Sequence, residues 1–193
     1  MAGRNRIRVV VTGVGVVSPI GIGNENFWDS LVHSRSGIDF LQSMPSHGLP
    51  SAFGAEVRNF NPADYLRDKK FVKVMSRAIQ LGVSSSNLAV KDSGLAPGMV
   101  DPYRFGVVYG SGRMTCHPGE LAAAAEVCRA EGGIDVSKWG QQALAEIAPL
   151  WLLRQLPNMP ASHALSTTML VVPITQLPAG THRHCWHCPK LSV

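Results

Sequence analysis

Charge is what this chain has least of. Asp, Glu, Lys and Arg make up 16% of its 193 residues, against about a quarter in an ordinary soluble domain, which predicts that a large share of the surface is meant for burial. No apolar run approaches the roughly 20 residues of a membrane-spanning helix. The N-terminus MAGRNRIRVVVTGVG is basic and then apolar, the outline of a signal peptide. Its apolar part lacks leucine and is broken by Thr12, Gly13 and Gly15, so it is read as a first strand and a cytoplasmic location is expected. Four cysteines, Cys116, Cys128, Cys185 and Cys188, do not make a disulfide framework without a secretory context. Acid is absent from residues 166–193, where Arg183 and Lys190 contribute +2 of the net charge of +5 and leave +3 for the body. So small a body charge argues against nucleic acid as a partner. No internal repeat or low-complexity stretch interrupts residues 1–165.

What is present suits a single α/β domain. The length supports a real core and 45% of the residues are hydrophobic. Residues 7–17, IRVVVTGVGVV, form a β-branched run without alternation, as in a strand buried on both faces. A loop at Gly21–Gly23 follows, with Asn24 as cap of a helix carrying Phe27, Trp28, Leu31 and Val32 on one side and ending at Gly37. Residues 38–61 read as irregular, and Asn61-Pro62 as a helix start. The clearest helix is expected from about Lys69 to Ser93, with Phe71, Val74, Met75, Ala78 and Ile79 on one stripe and Lys69, Lys73 and Arg77 at i, i+4 and i+8 on the opposite side. RFGVVYG, 104–110, reads as a second buried strand. Helices near 119–130 and 138–156 follow, the latter divided by Pro149. This order predicts a mainly parallel sheet with flanking helices.

Gly13-Val14-Gly15 invites a dinucleotide-loop reading. The third position of that fingerprint is Ser18, Pro19 stands where a helix should open, and no acidic partner lies at the right distance. His33, His47 and His117 have no partners at recognisable spacing, and Cys116 and Cys128 match no nucleophile motif.

Four segments, in order, carry a more specific signal: VVVTGVGVVSPIGIGNENFWDSLVHSRSGI, FNPADYLRDKKFVKVMSRAIQLGVSSSNLAVKDSGL, RFGVVYGSG and LPNMPASH. Together they resemble the N-terminal half of the beta-ketoacyl-ACP synthases, the thiolase-like condensing enzymes. The resemblance implies a thiolase-like α/β fold, present here as its N-terminal half, and a place in fatty-acid or polyketide synthesis. The family reaction is an acyl transfer to a cysteine at a helix N-terminus, which favours thiolate, followed by decarboxylation of malonyl-ACP and attack of the resulting carbanion on the thioester. Two histidines and a lysine support it. In the family these four groups come after the stretch matching LPNMPASH, so no catalytic residue is assigned in this chain and no condensing activity is expected from it. No cofactor is implied.

The resemblance also implies partners. The region matching Arg67, Lys69, Lys70 and Lys73 helps the family dock its acidic acyl carrier protein, although a plain solvated face accounts for these charges equally well. Gly110, Ser111, Gly112 and Arg113 match the acyl-pocket region. There this chain has Arg113, Met114 and Thr115 in place of an apolar residue and two glycines, and a buried guanidinium would need a partner. His163 matches a structural histidine of the family's dimer region, and the intact family is homodimeric. A non-catalytic partner subunit, of the chain-length-factor kind, is the second reading.

Beyond Leu165 the match stops, and residues 166–193 form a tail unlike the family. THRHCWHC, 181–188, offers His182, His184, Cys185, His187 and Cys188 as zinc or redox ligands. The second ligand pair that closes a structural zinc site is absent, and no metal site is assigned. A shift of reading frame explains the tail better. Joining the last base of each codon to the first two of the next turns His184–Cys188 into Leu-Leu-Ala-Leu, an apolar run where the family has a buried helix. The gene beyond codon 165 is therefore expected to continue in a second frame into the family's histidine and lysine motifs. Nucleotide sequencing that finds a stop after Val193 and no such frame would make the tail native.

Overall fold

Two glycines set how the first segment lies. The computed structural model describes residues 8–43, 51–66, 69–111 and 116–167. In it the segment through Gly13 and Gly15 runs directly over helix α2, Arg77–Asp92. A Cβ on Gly15 would stand 2.1 Å from the Ser85 carbonyl oxygen and 2.4 Å from the Ala89 nitrogen, and one on Gly13 would stand 2.4 Å from the Ala89 oxygen. These glycines serve backbone contact with a helix, which is why the dinucleotide reading finds no support. The approach is fixed by hydrogen bonds. The Ser85 hydroxyl donates to the Gly15 carbonyl at 2.6 Å, and the Val14 amide donates to Asp92 at 2.8 Å.

Strands β1, Val17–Ser18, and β2, Gly21–Ile22, then pair as an antiparallel hairpin. Helix α1, Asn24–Val32, starts from Gly23 at φ 83° without a side-chain cap. Asn24 does not act as the cap; its amide donates to the Val14 carbonyl at 2.7 Å. The helix stops well before Gly37. Ser34, at φ 52°, takes the left-handed position, with its amide donating to Leu31 and the Arg35 amide donating back to Ser30, the paired bonds of a Schellman ending. The stretch read as irregular contains a second hairpin, β3, Ile38–Phe40, with β4, Phe53–Ala55. There Phe40 faces Phe53 with ring centroids 4.4 Å apart, the kind of cross-strand aromatic contact that holds a register.

Asn61-Pro62 opens a short 3₁₀ turn, Pro62–Asp64, with the Asn61 side chain accepting from the Ala63 amide. The long helix expected from Lys69 to Ser93 is two elements. A 3₁₀ turn, Lys69–Val74, precedes α2, and the chain is extended between them at Ser76 (φ −68°, ψ 163°), whose hydroxyl caps α2 by accepting from Ile79. Only part of the expected apolar stripe survives the break: Met75 and Ile79 are buried with Val83 and Leu66, and Val72 and Met159 pack against them, whereas Phe71 and Ala78 are exposed. Helix α5, Met159–Thr167, lies along α2 and closes this core. Thr167 and Asn87 join the two helices through a 3.3 Å hydrogen bond, and Asn87 donates onward to the Tyr65 carbonyl.

A second small core gathers Ala124, Cys128 and Ala143 under Trp139 and Ile147. It is built from α3, Ala122–Val127, the hairpin β5, Arg129–Ala130, with β6, Gly133–Ile134, and a helical path through α4, Leu144–Glu146. As expected from Pro149, that path breaks: Ile147 is extended and a 3₁₀ turn resumes at Trp151–Gln155.

The expected parallel sheet is not hydrogen-bonded among the described residues, whose ladders are the three antiparallel hairpins. Val9, Val10 and Val11 are 91%, 68% and 83% exposed, so the first run is not buried on both faces. Residues 105–110 alternate between half-buried and exposed, and Tyr109 brings its hydroxyl end against Gly82 of α2. The apolar side of α1 is likewise open, with Trp28, Leu31 and Val32 exposed. A β-branched run has no intrinsic burial; it is buried only when neighbouring strands pair with it, and none does so among these residues.

Gly15→Ala is expected to destabilise the chain by about 1–3 kcal/mol, the cost of forcing a methyl group into packed backbone, read as a lowered midpoint of urea unfolding.

Candidate functional site

Of the basic residues expected to form a docking face, Lys69, Lys70 and Lys73 stand exposed on the 3₁₀ turn Lys69–Val74; Arg67 lies outside the described residues. Arg77, expected on the helical stripe with Lys69 and Lys73, stands apart from them. The break at Ser76 places it at the start of α2, where its guanidinium lies 4.6 Å from the Phe60 ring centroid and donates to the Phe60 and Val57 carbonyls at 3.3 and 3.0 Å. The helical stripe Lys69, Lys73, Arg77 is therefore corrected: Arg77 tethers residues 57–60, and the lysines belong to another element.

Two residues that sequence reasoning passed over organise this face from below. Glu120 accepts from the Trp151 indole at 2.8 Å and from Gln155 at 3.5 Å, and lies 3.7 Å from the Arg154 guanidinium. Arg154 in turn donates to the Lys73 carbonyl at 2.5 Å. A signal for them was present: Arg154 is the one charge in LWLLRQLP, and a lone guanidinium in an apolar stretch needs a partner.

Gly110 is exposed, with open space where a side chain would stand, and Ser111 is half-buried. Gly112 and Arg113 lie outside the described residues. Two open hollows among the described residues, about 520 and 370 Å³ in volume, are lined elsewhere, the larger by Val14, Asn24, Leu88 and Lys91 and the smaller by Ala122, Glu126 and Ile134.

Neither described cysteine is activated. Cys128 is fully buried in the second core. Burial pushes the Cys116 thiol above its ordinary range; a hydrogen bond with Trp151 pulls the other way, and the nearby Glu120 carboxylate adds to the rise. A nucleophilic cysteine needs the opposite surroundings. His117 accepts from the Gly119 amide and His33 sits 3.0 Å from Asp29, both at the surface. No group of three or more potential metal ligands occurs among the described residues; His47, His182, His184, Cys185, His187 and Cys188 lie outside them.

His163 is structural in its surroundings. It is 6% exposed on α5, its ring is 5.7 Å from that of Phe71, and its Nε2 finds no hydrogen-bond partner among the described residues. Burial holds its pKa below the ordinary 6.5, because charging an enclosed imidazole sacrifices hydration. The unfolded chain then takes up this proton at a higher pH than the folded chain. Stability is full above about pH 6.5 and falls as pH drops from there toward the depressed folded value. Urea midpoints are expected to be lower at about pH 5 than at about pH 7.5, with a shallower dependence in His163→Leu. An unchanged slope in that variant would mean His163 is not the group responsible.

The model of the "Beta-ketoacyl synthase, N-terminal domain" family matches residues 6–149. The chain is 36% identical over 104 residues to the tetracenomycin polyketide synthase ketoacyl synthase beta subunit of Streptomyces glaucescens, covering 54% of this chain and 25% of that protein. It is 30% identical over 161 residues to 3-oxoacyl-[acyl-carrier-protein] synthase 2 of Vibrio cholerae, covering 81% of this chain and 34% of the relative. Among solved structures, the ishigamide ketosynthase/chain length factor superposes with a TM-score of 0.61 at 20% identity, over 83% of this chain and 36% of that one. The chain thus spans about a quarter to a third of the length of the relatives it matches.

Proposed function

The chain belongs to the beta-ketoacyl synthase family through that N-terminal domain, and from this we propose that it supplies the carrier-facing part of a ketosynthase-like protein of fatty-acid or polyketide synthesis, without itself carrying out condensation. Its architecture is the N-terminal part of a thiolase-like fold. The observation that carries the proposal is the turn Lys69–Val74, inside the matched domain, which presents Lys69, Lys70 and Lys73 at the surface. Such a cationic edge suits an acidic protein, and the Vibrio cholerae relative is a 3-oxoacyl-[acyl-carrier-protein] synthase. Charges at the edge of an interface act chiefly on encounter rate and orientation. They are effective while exposed, as here.

The lack of condensing activity is supported by the two described thiols: one is fully buried and the other is pushed away from thiolate. A chain of this kind contributes binding surface, and the cytoplasm, where carrier proteins work, is the compartment proposed for it. Among the described residues no helix is long and apolar enough to cross a membrane.

A second reading, a non-catalytic subunit that pairs with a complete ketosynthase, is favoured by the open apolar surface of Val9–Val11 and of Trp28, Leu31 and Val32, because patches of that kind mark interfaces. It gains weight from the match to a synthase beta subunit.

Apo acyl carrier protein is expected to bind the purified chain with an affinity that falls about two- to fivefold in Lys73→Glu and in the same direction in Lys69→Glu, as single exposed ion pairs allow, with no product from acyl- and malonyl-carrier substrates. Turnover by the pure chain would overturn the inactive reading. Binding untouched by either substitution would overturn the docking reading, and stable co-purification with a complete ketosynthase would then favour the subunit reading.

A further inference from the structure

We infer that Arg154, anchored by Glu120, is a positioning residue that decides which lysines the docking turn presents; this rests on the docking reading above. The argument starts from the backbone bonds lost at the break between the turn Lys69–Val74 and α2. In one continuous α-helix the carbonyls of Val72, Lys73 and Met75 would accept from the amides of Ser76, Arg77 and Ile79. The extended conformation of Ser76 removes those partners. Carbonyls at a helix end must then be served by side chains or water.

Each of the three has a replacement. The Gln80 amide donates to the Val72 and Met75 carbonyls at 3.4 and 3.2 Å. Val72 also accepts from the Met75 amide, and the Ile79 amide turns to the Ser76 hydroxyl. Gln80 belongs to α2 itself and is available in either conformation. The Lys73 carbonyl is different: its donor is Arg154, 81 residues further along the chain. The guanidinium thus takes the place that the Arg77 amide would hold in a continuous helix. It is held there by Glu120, which Trp151 and Gln155 fix in turn. A cation at the end of a helical turn also meets the favourable end of its dipole.

The break matters because it changes the period of the turn. Side chains eclipse at i and i+3 in a 3₁₀ helix, which brings Lys70 and Lys73 onto one edge. In an α-helix the neighbours are i and i+4, which would align Lys69, Lys73 and Arg77, the stripe legible in the sequence. Arg154 therefore selects the Lys70/Lys73 edge and leaves Arg77 free for the Phe60 ring. Glu120 offsets the charge of Arg154, so Arg154 acts on the turn's geometry and not as a further docking charge.

The test uses the full chain and apo acyl carrier protein. Hydrogen exchange at residues 74–77 and the ranking of Lys69→Glu, Lys70→Glu and Lys73→Glu are measured with native Arg154 and in Arg154→Gln. With Arg154 in place, Lys70→Glu and Lys73→Glu are expected to weaken binding more than Lys69→Glu. In Arg154→Gln the turn joins α2, exchange there slows by about tenfold as new helical bonds form, and Lys69→Glu comes to weaken binding more than Lys70→Glu. Arg154→Lys, which keeps one donor for the carbonyl, is expected to fall between. Should Arg154→Gln not fold, Glu120→Gln, which loosens the anchor alone, is expected to show the same changes to a smaller degree. Unchanged exchange and ranking in the folded variants would overturn the inference. If no lysine substitution affects binding in the native chain, the docking reading fails, and the exchange result alone decides whether Arg154 sets the turn.

Discussion

The main core of the described residues is organised around helix α2. Ile79 and Val83 have no solvent exposure, and three separate parts of the sequence reach the helix by different means. Gly13 and Gly15 bring backbone to backbone on one side. Helix α5 lays Met159 against the apolar core on another, and Tyr109 brings its hydroxyl end against Gly82. A close-packed interior tolerates little change of volume, so small residues are as much part of this arrangement as the large apolar ones.

The N-terminal boundary of α2 connects packing to function. A helix that continued back to Lys69 would bury the same stripe, and the core alone does not choose between one helix and two. The choice is made by polar groups: the Ser76 hydroxyl, the Gln80 amide and the Arg154 guanidinium, each replacing a backbone bond that the break removes. Their combined effect moves Arg77 off the cationic stripe and onto Phe60. Electrostatic pattern at the surface is thereby set by hydrogen bonding beneath it.

The distribution of apolar exposure has a physical meaning too. Val9–Val11, Trp28, Leu31, Val32, Phe40 and Phe53 are open to solvent, although their residue types and spacing are those of buried elements. Where exposed apolar side chains gather in a patch, they mark surfaces that meet other protein. The low charge content agrees, because a fully hydrated surface of this extent would carry more.

Sequence alone determined the family and part of the main core, because these depend on local pattern: four ordered motifs, Met75 and Ile79 of the apolar stripe, the Asn61-Pro62 start and the break near Pro149 could all be read directly. That the apolar runs at 8–16 and 104–110 form no paired strand among the described residues could not be read, since burial of a strand is a property of its neighbours and not of its own residues. The left-handed ending at Ser34 escaped because serine gives no such signal, and Gly37 gave a false one. The division of the long helix, the diversion of Arg77 and the pairing of Glu120 with Arg154 were decided only in three dimensions. Each depends on a polar contact between residues far apart in the chain, the longest spanning 81 positions, and no periodicity within a helix records where a distant guanidinium will donate.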